Sequence, residues 1–304
     1  MASSQLTVDT HSFTLSHPDK LLFPQDGLTK EDLVGYYRAV AHTMVPHLRG
    51  RPLMLARFPD GIQAGGFYQK EVPNYFPDWV HTAAVGKKGG ALTQVVCDDE
   101  ATLAYLAAQA CITFHSWLSR SDRPDVPDRL VFDLDPSSDD DFQAVRSTAA
   151  DLRKALEELG LVPFVQTTGS RGLHVVVPIE RRQGFDEVRS FAHTLAEEVA
   201  SMAPDERTTE ARKDKREGRV FIDVQRNAYA QTSVASYSVR ALPGAPVATP
   251  LAWGELGGAR SPGFKVADVP ARLSSNRDPW EDIGDCARPL GKAMQKLAKR
   301  SPAK

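Results

Sequence analysis

Two aspartates, Asp133 and Asp135, interrupt an otherwise apolar run, Leu130-Val131-Phe132-Asp133-Leu134-Asp135. A third, Asp223, interrupts Val220-Phe221-Ile222-Asp223-Val224 in the same way. Side chains two apart on a strand point to one face, so Asp133 and Asp135 project together while Leu134 turns away. Carboxylates held that close repel, and one takes up a proton near neutral pH unless a cation intervenes. Hard divalent ions such as Mg²⁺ and Mn²⁺ prefer carboxylate oxygen, water and substrate phosphate. Three such acids can hold two ions roughly 3.5–4 Å apart. One ion would activate a 3′-hydroxyl and the other would hold a triphosphate and its pyrophosphate leaving group. The acids before Pro136 also fit an ordinary strand end, so the pair alone leaves both readings open.

A second constellation is Thr167-Thr168-Gly169-Ser170-Arg171-Gly172-Leu173-His174. Glycine permits close backbone approach, and successive backbone N–H groups in a turn can cradle phosphate oxygens. Ser170 offers a hydroxyl, Arg171 a forked cation that matches phosphate, and His174 an imidazole. A Gly-rich hairpin with a core histidine is the plainer alternative. No Lys-Ser or Lys-Thr follows the glycines, so this is not a Walker loop.

These residues need strands to present them. RLVFDLD reads as a strand after RPDVPD, a loop of helix and sheet breakers. A helix opens at 137–141 and ends at Gly160, with Phe142, Val145, Leu152, Leu156 and Leu159 at helical spacing. Its acids Asp139, Asp140 and Asp141 suit the positive end of the helix dipole. VPFVQTTG and LHVVVPI read as a hairpin, 185–202 as an amphipathic helix, and GRVFIDVQ as a strand. Upstream, 30–47 reads as a helix capped by Thr29, and 100–117 as an Ala-rich helix carrying His115. Beyond Ala241 the chain is rich in Pro and Gly and reads as irregular structure wrapped on the domain. The expected class is α+β, with mixed or antiparallel central sheets flanked by helices. A single domain is expected, with an N-terminal part at about 1–125, a catalytic core at about 126–240 and a wrapping segment at about 241–304.

Composition sets outer limits. The chain has 304 residues, with 41% apolar and 25% charged residues, as in ordinary globular proteins. No run approaches a membrane span, and the N-terminus lacks a basic then apolar leader. Three scattered cysteines form neither a disulfide framework nor a zinc knuckle, so a reducing cytoplasm is the expected home. A net charge of −2 is low for a nucleic-acid binder. Locally, 212–219 and 288–304 are basic, which fits either a phosphate-binding patch or a solvated face.

Several segments, in order along nearly the whole chain, resemble the polymerase domain of bacterial DNA ligase D, within the archaeo-eukaryotic primase superfamily. They are HPDKLLFP (17–24), LTKEDLVGYY (28–37), RPLMLARFPDG (51–61), FYQKEVP (67–73), VFDLDP (131–136), TTGSRGLHVVVPI (167–179), FIDVQRN (221–227) and SVRALPGAPVATPLAW (238–253). The resemblance implies a primase-polymerase fold with metal-binding acids at Asp133, Asp135 and Asp223. It places the family's Ser-x-x-x-His phosphate motif on Ser170 and His174, with Arg171 and Gly172 between them. His115 and Arg240 match residues near the incoming nucleotide. Lys20 and Lys30 match a basic pair at a 5′-phosphate, and Phe67 and Tyr68 an aromatic pair stacked on template bases.

The implied activity is addition of nucleotides, preferentially ribonucleotides, to 3′ ends at gaps or breaks in DNA. It would use two Mn²⁺ or Mg²⁺ ions and act in non-homologous end joining. The implied partners are gapped duplex or DNA ends with a 5′-phosphate, nucleoside triphosphates, the Ku end-binding protein and a ligase, at the bacterial nucleoid and without a membrane. The sequence shows no nucleotidyl-lysine ligase motif, so a stand-alone enzyme or one domain of a longer protein is expected. Two rivals of other classes are a non-catalytic module that bridges DNA ends and a metal-dependent nuclease. The first is disfavoured because the phosphate hairpin and the carboxylates are both chemically complete, and the second by the Ser/Arg/His triphosphate cradle.

Overall fold

The computed structural model describes residues 3–87, 89–138 and 142–300. The three acids at 139–141 lie outside the described residues. The chain divides into two compact units. The first runs through Asp122 and takes back Thr232–Thr249 and Phe264–Asp278; the second holds Arg123–Gln231, Pro250–Gly263 and the chain from Pro279 on. No helix among the described residues is long and apolar enough to cross a membrane.

The first unit is built on helix α1 (Lys30–Leu48), strands β1 (Leu53–Arg57) and β2 (Phe67–Gln69), helix α2 (Glu100–Ala108) and strand β3 (Cys111–Trp117). Thr29 caps α1 through a reciprocal box: its hydroxyl accepts from Asp32 N–H, and the Asp32 carboxylate accepts from Thr29 N–H. The sheet runs Thr232–Val234, β3, β1, β2, all antiparallel. The expected helix over 100–117 is corrected here. It ends at Ala108, Ala110 takes a positive φ of 57°, and Cys111–Trp117 is a strand, so His115 stands on a sheet. Every residue of α2 after Glu100 is buried, so its pattern carried no amphipathic signal to mark where it stops. Ile, Thr, Phe and Trp in the following run favour the pleated sheet.

The second unit holds a six-stranded sheet. Its strands are β4 (Arg129–Asp135), β5 (Phe164–Thr167), β6 (Leu173–Pro178), β7 (Arg207–Thr208), β8 (Val220–Asp223) and β9 (Pro250–Leu251), in the order β7-β8-β4-β6-β5-β9. All pairs are antiparallel except β7 with β8, so the sheet is mixed, as the sequence implied. Helices α3 (Phe142–Glu158) and α4 (Phe185–Ser201) lay apolar stripes against it. Leu152, Leu156, Val188 and Leu195 are fully buried there, each worth about 1.5–3 kcal/mol of transfer from water.

The breaker segment expected as a loop is a short strand, Arg123–Pro127. Residues before proline prefer extended backbone, which a strand supplies. The Pro- and Gly-rich stretch beyond Ala241 is mostly irregular. In this unit, indole N–H groups of Trp253 and Trp280 pin it to the Pro163 and Val165 carbonyls at 2.8 and 3.2 Å. The basic tail forms helix α5 (Leu290–Arg300), which buries Leu290, Ala293 and Leu297 and pairs Arg300 with Glu158 and Glu198.

Candidate active site

The sheet of the second unit brings the acids together by register. Asp133 on β4 is the direct partner of Asp223 on β8 and of His174 on β6. His174 in turn pairs with Gln166 on β5. One row across four strands therefore reads Gln166, His174, Asp133, Asp223. Asp135 lies two residues beyond Asp133, on the same face.

Within the row the contacts are directional. The Gln166 Nε2 amide lies 3.3 Å from His174 Nδ1. An amide nitrogen only donates, so Nδ1 accepts, and Nε2 carries the proton that faces Asp133 Oδ1 at 3.3 Å. Asp133 Oδ2 faces Arg226 Nε at 3.7 Å. Asp223 Oδ1 accepts from Gln225 N–H at 2.7 Å.

The electrostatics are those of a negative cluster. Asp133 is only 8% exposed. Burial, then Asp133 and Asp223, push the Asp135 carboxyl up to about 6. Burial also raises Asp223; the Gln225 N–H opposes that shift and Asp133 adds to it. Arg216 lowers both, from a seat on the Phe221 ring at 3.9 Å.

The donor set suits a hard divalent cation: carboxylate oxygens, clustered, with negative charge that the protein only partly balances. Among the described residues, no three His, Cys, Asp or Glu side chains already stand at ligating spacing. The contacts above account for this, because Asp133 faces His174 and Arg226, and Asp223 is turned toward Gln225.

The hairpin loop beside this row is organised by Thr168. Its hydroxyl accepts from the N–H groups of Ser170 and Gly172, both at 3.2 Å. Gly169 supplies the positive φ of 64° that the turn needs. Gly172 is required for another reason: a Cβ there would lie 2.1 Å from the Leu134 carbonyl oxygen. The Ser170 and Gly172 N–H groups thus point inward, and phosphate capacity falls to the Ser170 hydroxyl and the exposed Arg171.

The remaining candidates belong to the first unit. Lys30 is buried and donates to the Ser16 carbonyl at 2.6 Å. Burial, then the nearby Lys20 and Arg57, lower its ammonium pKa. Lys20 reaches Asp60 at 2.5 Å. Phe67 and Tyr68 are 50% and 65% exposed on β2, so they are not core aromatics. Tyr68 packs edge-on against His115, with ring centroids 5.9 Å apart. Tyr75, missed in the sequence, joins this exposed patch; its hydroxyl accepts from Arg57, which lies over the Phe67 ring.

His115 and Arg240 stand on segments that are stitched together. The Tyr37 hydroxyl donates to the Ile112 carbonyl at 2.6 Å and accepts from Val239 N–H at 3.0 Å. Thr113 Oγ1 donates to the Val239 carbonyl, and Phe114 N–H donates to Ser238 Oγ. Neighbours of His115 thereby hold neighbours of Arg240.

Residues 29–280 match the family model described as LigD, primase-polymerase domain. The chain belongs to the LigD primase-polymerase domain family. A solved polymerase domain from Mycobacterium tuberculosis ligase D, in complex with DNA, superimposes with a TM-score of 0.84 at 31% identity, covering 90% of this chain and 99% of that one. The multifunctional non-homologous end joining proteins LigD of Mycobacterium bovis and Pseudomonas aeruginosa are each 31% identical, over 89% and 94% of the chain. The bifunctional LigD of Bacillus subtilis is 29% identical over 93%. The chain spans 37%, 34% and 46% of those three relatives. As a primase-polymerase domain it is an enzyme, a metal-dependent nucleotidyltransferase.

Three residues of this primase-polymerase site escaped the sequence reading. Gln166 orients His174, and Arg226 faces Asp133. Asn227, fully buried, pairs its amide with both the N–H and the carbonyl of Val131 at 2.8 and 2.7 Å. Gln225-Arg226-Asn227 follows directly on the Asp223 strand, and that polar run closing an apolar strand was the available signal.

Proposed function

We propose that this domain adds nucleotides, ribonucleotides in preference, to the 3′ end of a DNA strand at a gap or break during non-homologous end joining. The observation that carries the reading is the cross-strand row that sets Asp133 between Asp223 and His174. Asp133, Asp135 and Asp223 would hold two Mn²⁺ or Mg²⁺ ions, which when bound supply charge neutralisation at the attacking hydroxyl and the pyrophosphate. Ser170, Arg171 and His174 would bind the triphosphate oxygens, with Gly172 letting the hairpin close against β4. His115 and Arg240 are assigned to the same nucleotide. Orientation and charge account for most of the rate, since the protein itself forms no covalent bond.

Lys20 and Lys30 would bind a 5′-phosphate across the gap, with salt-sensitive affinity. Exposed Phe67 and Tyr68 would stack on template bases, worth about 1–3 kcal/mol per base. The solved relative's complex with DNA supports this partner. Both units are assigned to one catalytic domain, and the LigD relatives' role supports Ku and a ligase as partners.

A labelled primer on a gapped, 5′-phosphorylated duplex tests the reading. With Mn²⁺ and ribonucleotides the primer lengthens, more slowly with deoxynucleotides. A primer that shortens or stays unchanged contradicts it.

A further inference from the structure

Asp133 is the middle carboxylate of the site, yet both of its oxygens already face cationic or proton-bearing groups: His174 Nε2 at 3.3 Å and Arg226 Nε at 3.7 Å. The two arginines near this cluster are held very differently. Arg216 is anchored: its guanidinium lies on the Phe221 ring at 3.9 Å and donates to the carbonyls of Glu210 and Ala211 at 3.2 and 2.9 Å. Arg226 is 44% exposed and makes no hydrogen bond among the described residues. Its backbone, in contrast, is fixed. It lies in the turn Gln225–Asn227, clamped at one end by Asp223 Oδ1 and at the other by the Asn227 amide on Val131. A loosely held guanidinium therefore stands on a rigid base beside the acids.

We propose that Arg226 is a mobile counter-ion, passed from Asp133 to a substrate phosphate when a divalent cation takes the Asp133 carboxylate. The inference rests on the metal-site reading above. Before the cation arrives, Arg226 adds to His174 in balancing the buried Asp133 charge beside Asp223. With its oxygens taken up in ligation, Asp133 would no longer attract the guanidinium. The freed fork then matches phosphate oxygens, bidentate and charge-assisted. Cation and phosphate ligand thereby strengthen each other, and the coupling is reciprocal by linkage. The receiving phosphate is either the nucleoside triphosphate or the backbone of the DNA end.

Binding of Mn²⁺ to wild type and Arg226→Gln is followed by the electron-paramagnetic signal of free Mn²⁺, without turnover. It is measured alone, with a non-hydrolysable triphosphate, and with a 5′-phosphorylated gapped duplex. Arg226→Gln should bind Mn²⁺ alone about threefold to tenfold more tightly, while the coupling to its phosphate ligand falls by about tenfold. Arg226→Lys, which keeps the charge, should restore part of the coupling. These opposite signs are not produced by general loss of structure, which weakens both. Loss of coupling with triphosphate alone names the nucleotide as receiver, and loss with duplex alone names the DNA. Unchanged or weaker Mn²⁺ binding in Arg226→Gln, or coupling intact with both ligands, overturns the proposal while the metal reading stands. No uptake of Mn²⁺ by wild type overturns both.

Discussion

Asp133 and Asp223 face each other as direct partners across adjacent antiparallel strands. Like charges so placed oppose folding, by roughly 0.2–1 kcal/mol for an ordinary cross-strand pair. Asp223→Asn retains the oxygen that accepts from Gln225 N–H and removes the charge. The metal-free variant should melt higher than wild type, by that modest margin, in a calorimetric scan. A lower melting point would mean that the pair does not repel.

Acidity gives a second expectation. The Asp135 carboxyl is pushed up to about 6 from an ordinary 3.8, first by burial. The native state therefore holds this proton more tightly than the unfolded chain does. Its contribution to stability is fully present below the unfolded value and is lost as pH rises through about 6. Melting points of the metal-free protein should carry that decline between pH 4 and 7, and Asp135→Asn should flatten it. Protons compete with the cation for this carboxyl, so stabilisation by Mn²⁺ should grow as pH rises past about 6. Equal stabilisation by Mn²⁺ at pH 5 and 7 would count against Asp135 as a ligand.

Gly172→Ala should be among the most damaging small substitutions. The new methyl would meet the Leu134 carbonyl oxygen at 2.1 Å, and that carbonyl belongs to the strand carrying Asp133 and Asp135. Overpacking against backbone costs about 1–3 kcal/mol or more. Gly254→Ala, with nothing within 4 Å of the added carbon and no positive φ, is the control. Denaturant midpoints should separate the two, and matching midpoints would show that the hairpin yields easily.

Tyr37→Phe removes one hydroxyl that serves both the His115 strand and the Arg240 segment. It leaves a buried Val239 N–H without its acceptor, at a cost of about 1–3 kcal/mol. If His115 and Arg240 bind the incoming nucleotide, KM for the triphosphate should rise several-fold while kcat changes less. Unchanged KM would confine Tyr37 to folding.

Much of this arrangement was legible from sequence where the information is local. Acids inside apolar runs marked Asp133, Asp135 and Asp223, and helical spacing marked α1, α3 and α4. The boundary at Ala108 was not, because the buried end of the helix and the buried start of the strand both read as apolar. The pairing of β4 with β8 joins residues some ninety positions apart, and no periodicity encodes that register. Asn227, Gln166, Arg226 and Tyr37 were missed for the same reason. Each acts on a partner that only the folded sheet brings near.

The most direct test measures two quantities on Asp133→Ala and Asp223→Ala together: primer extension with Mn²⁺, and binding to the same gapped, 5′-phosphorylated duplex. The account predicts that extension disappears in both variants while duplex binding stays near the wild-type value. Extension at the wild-type rate in either variant would contradict the assignment of these aspartates to the reacting centre.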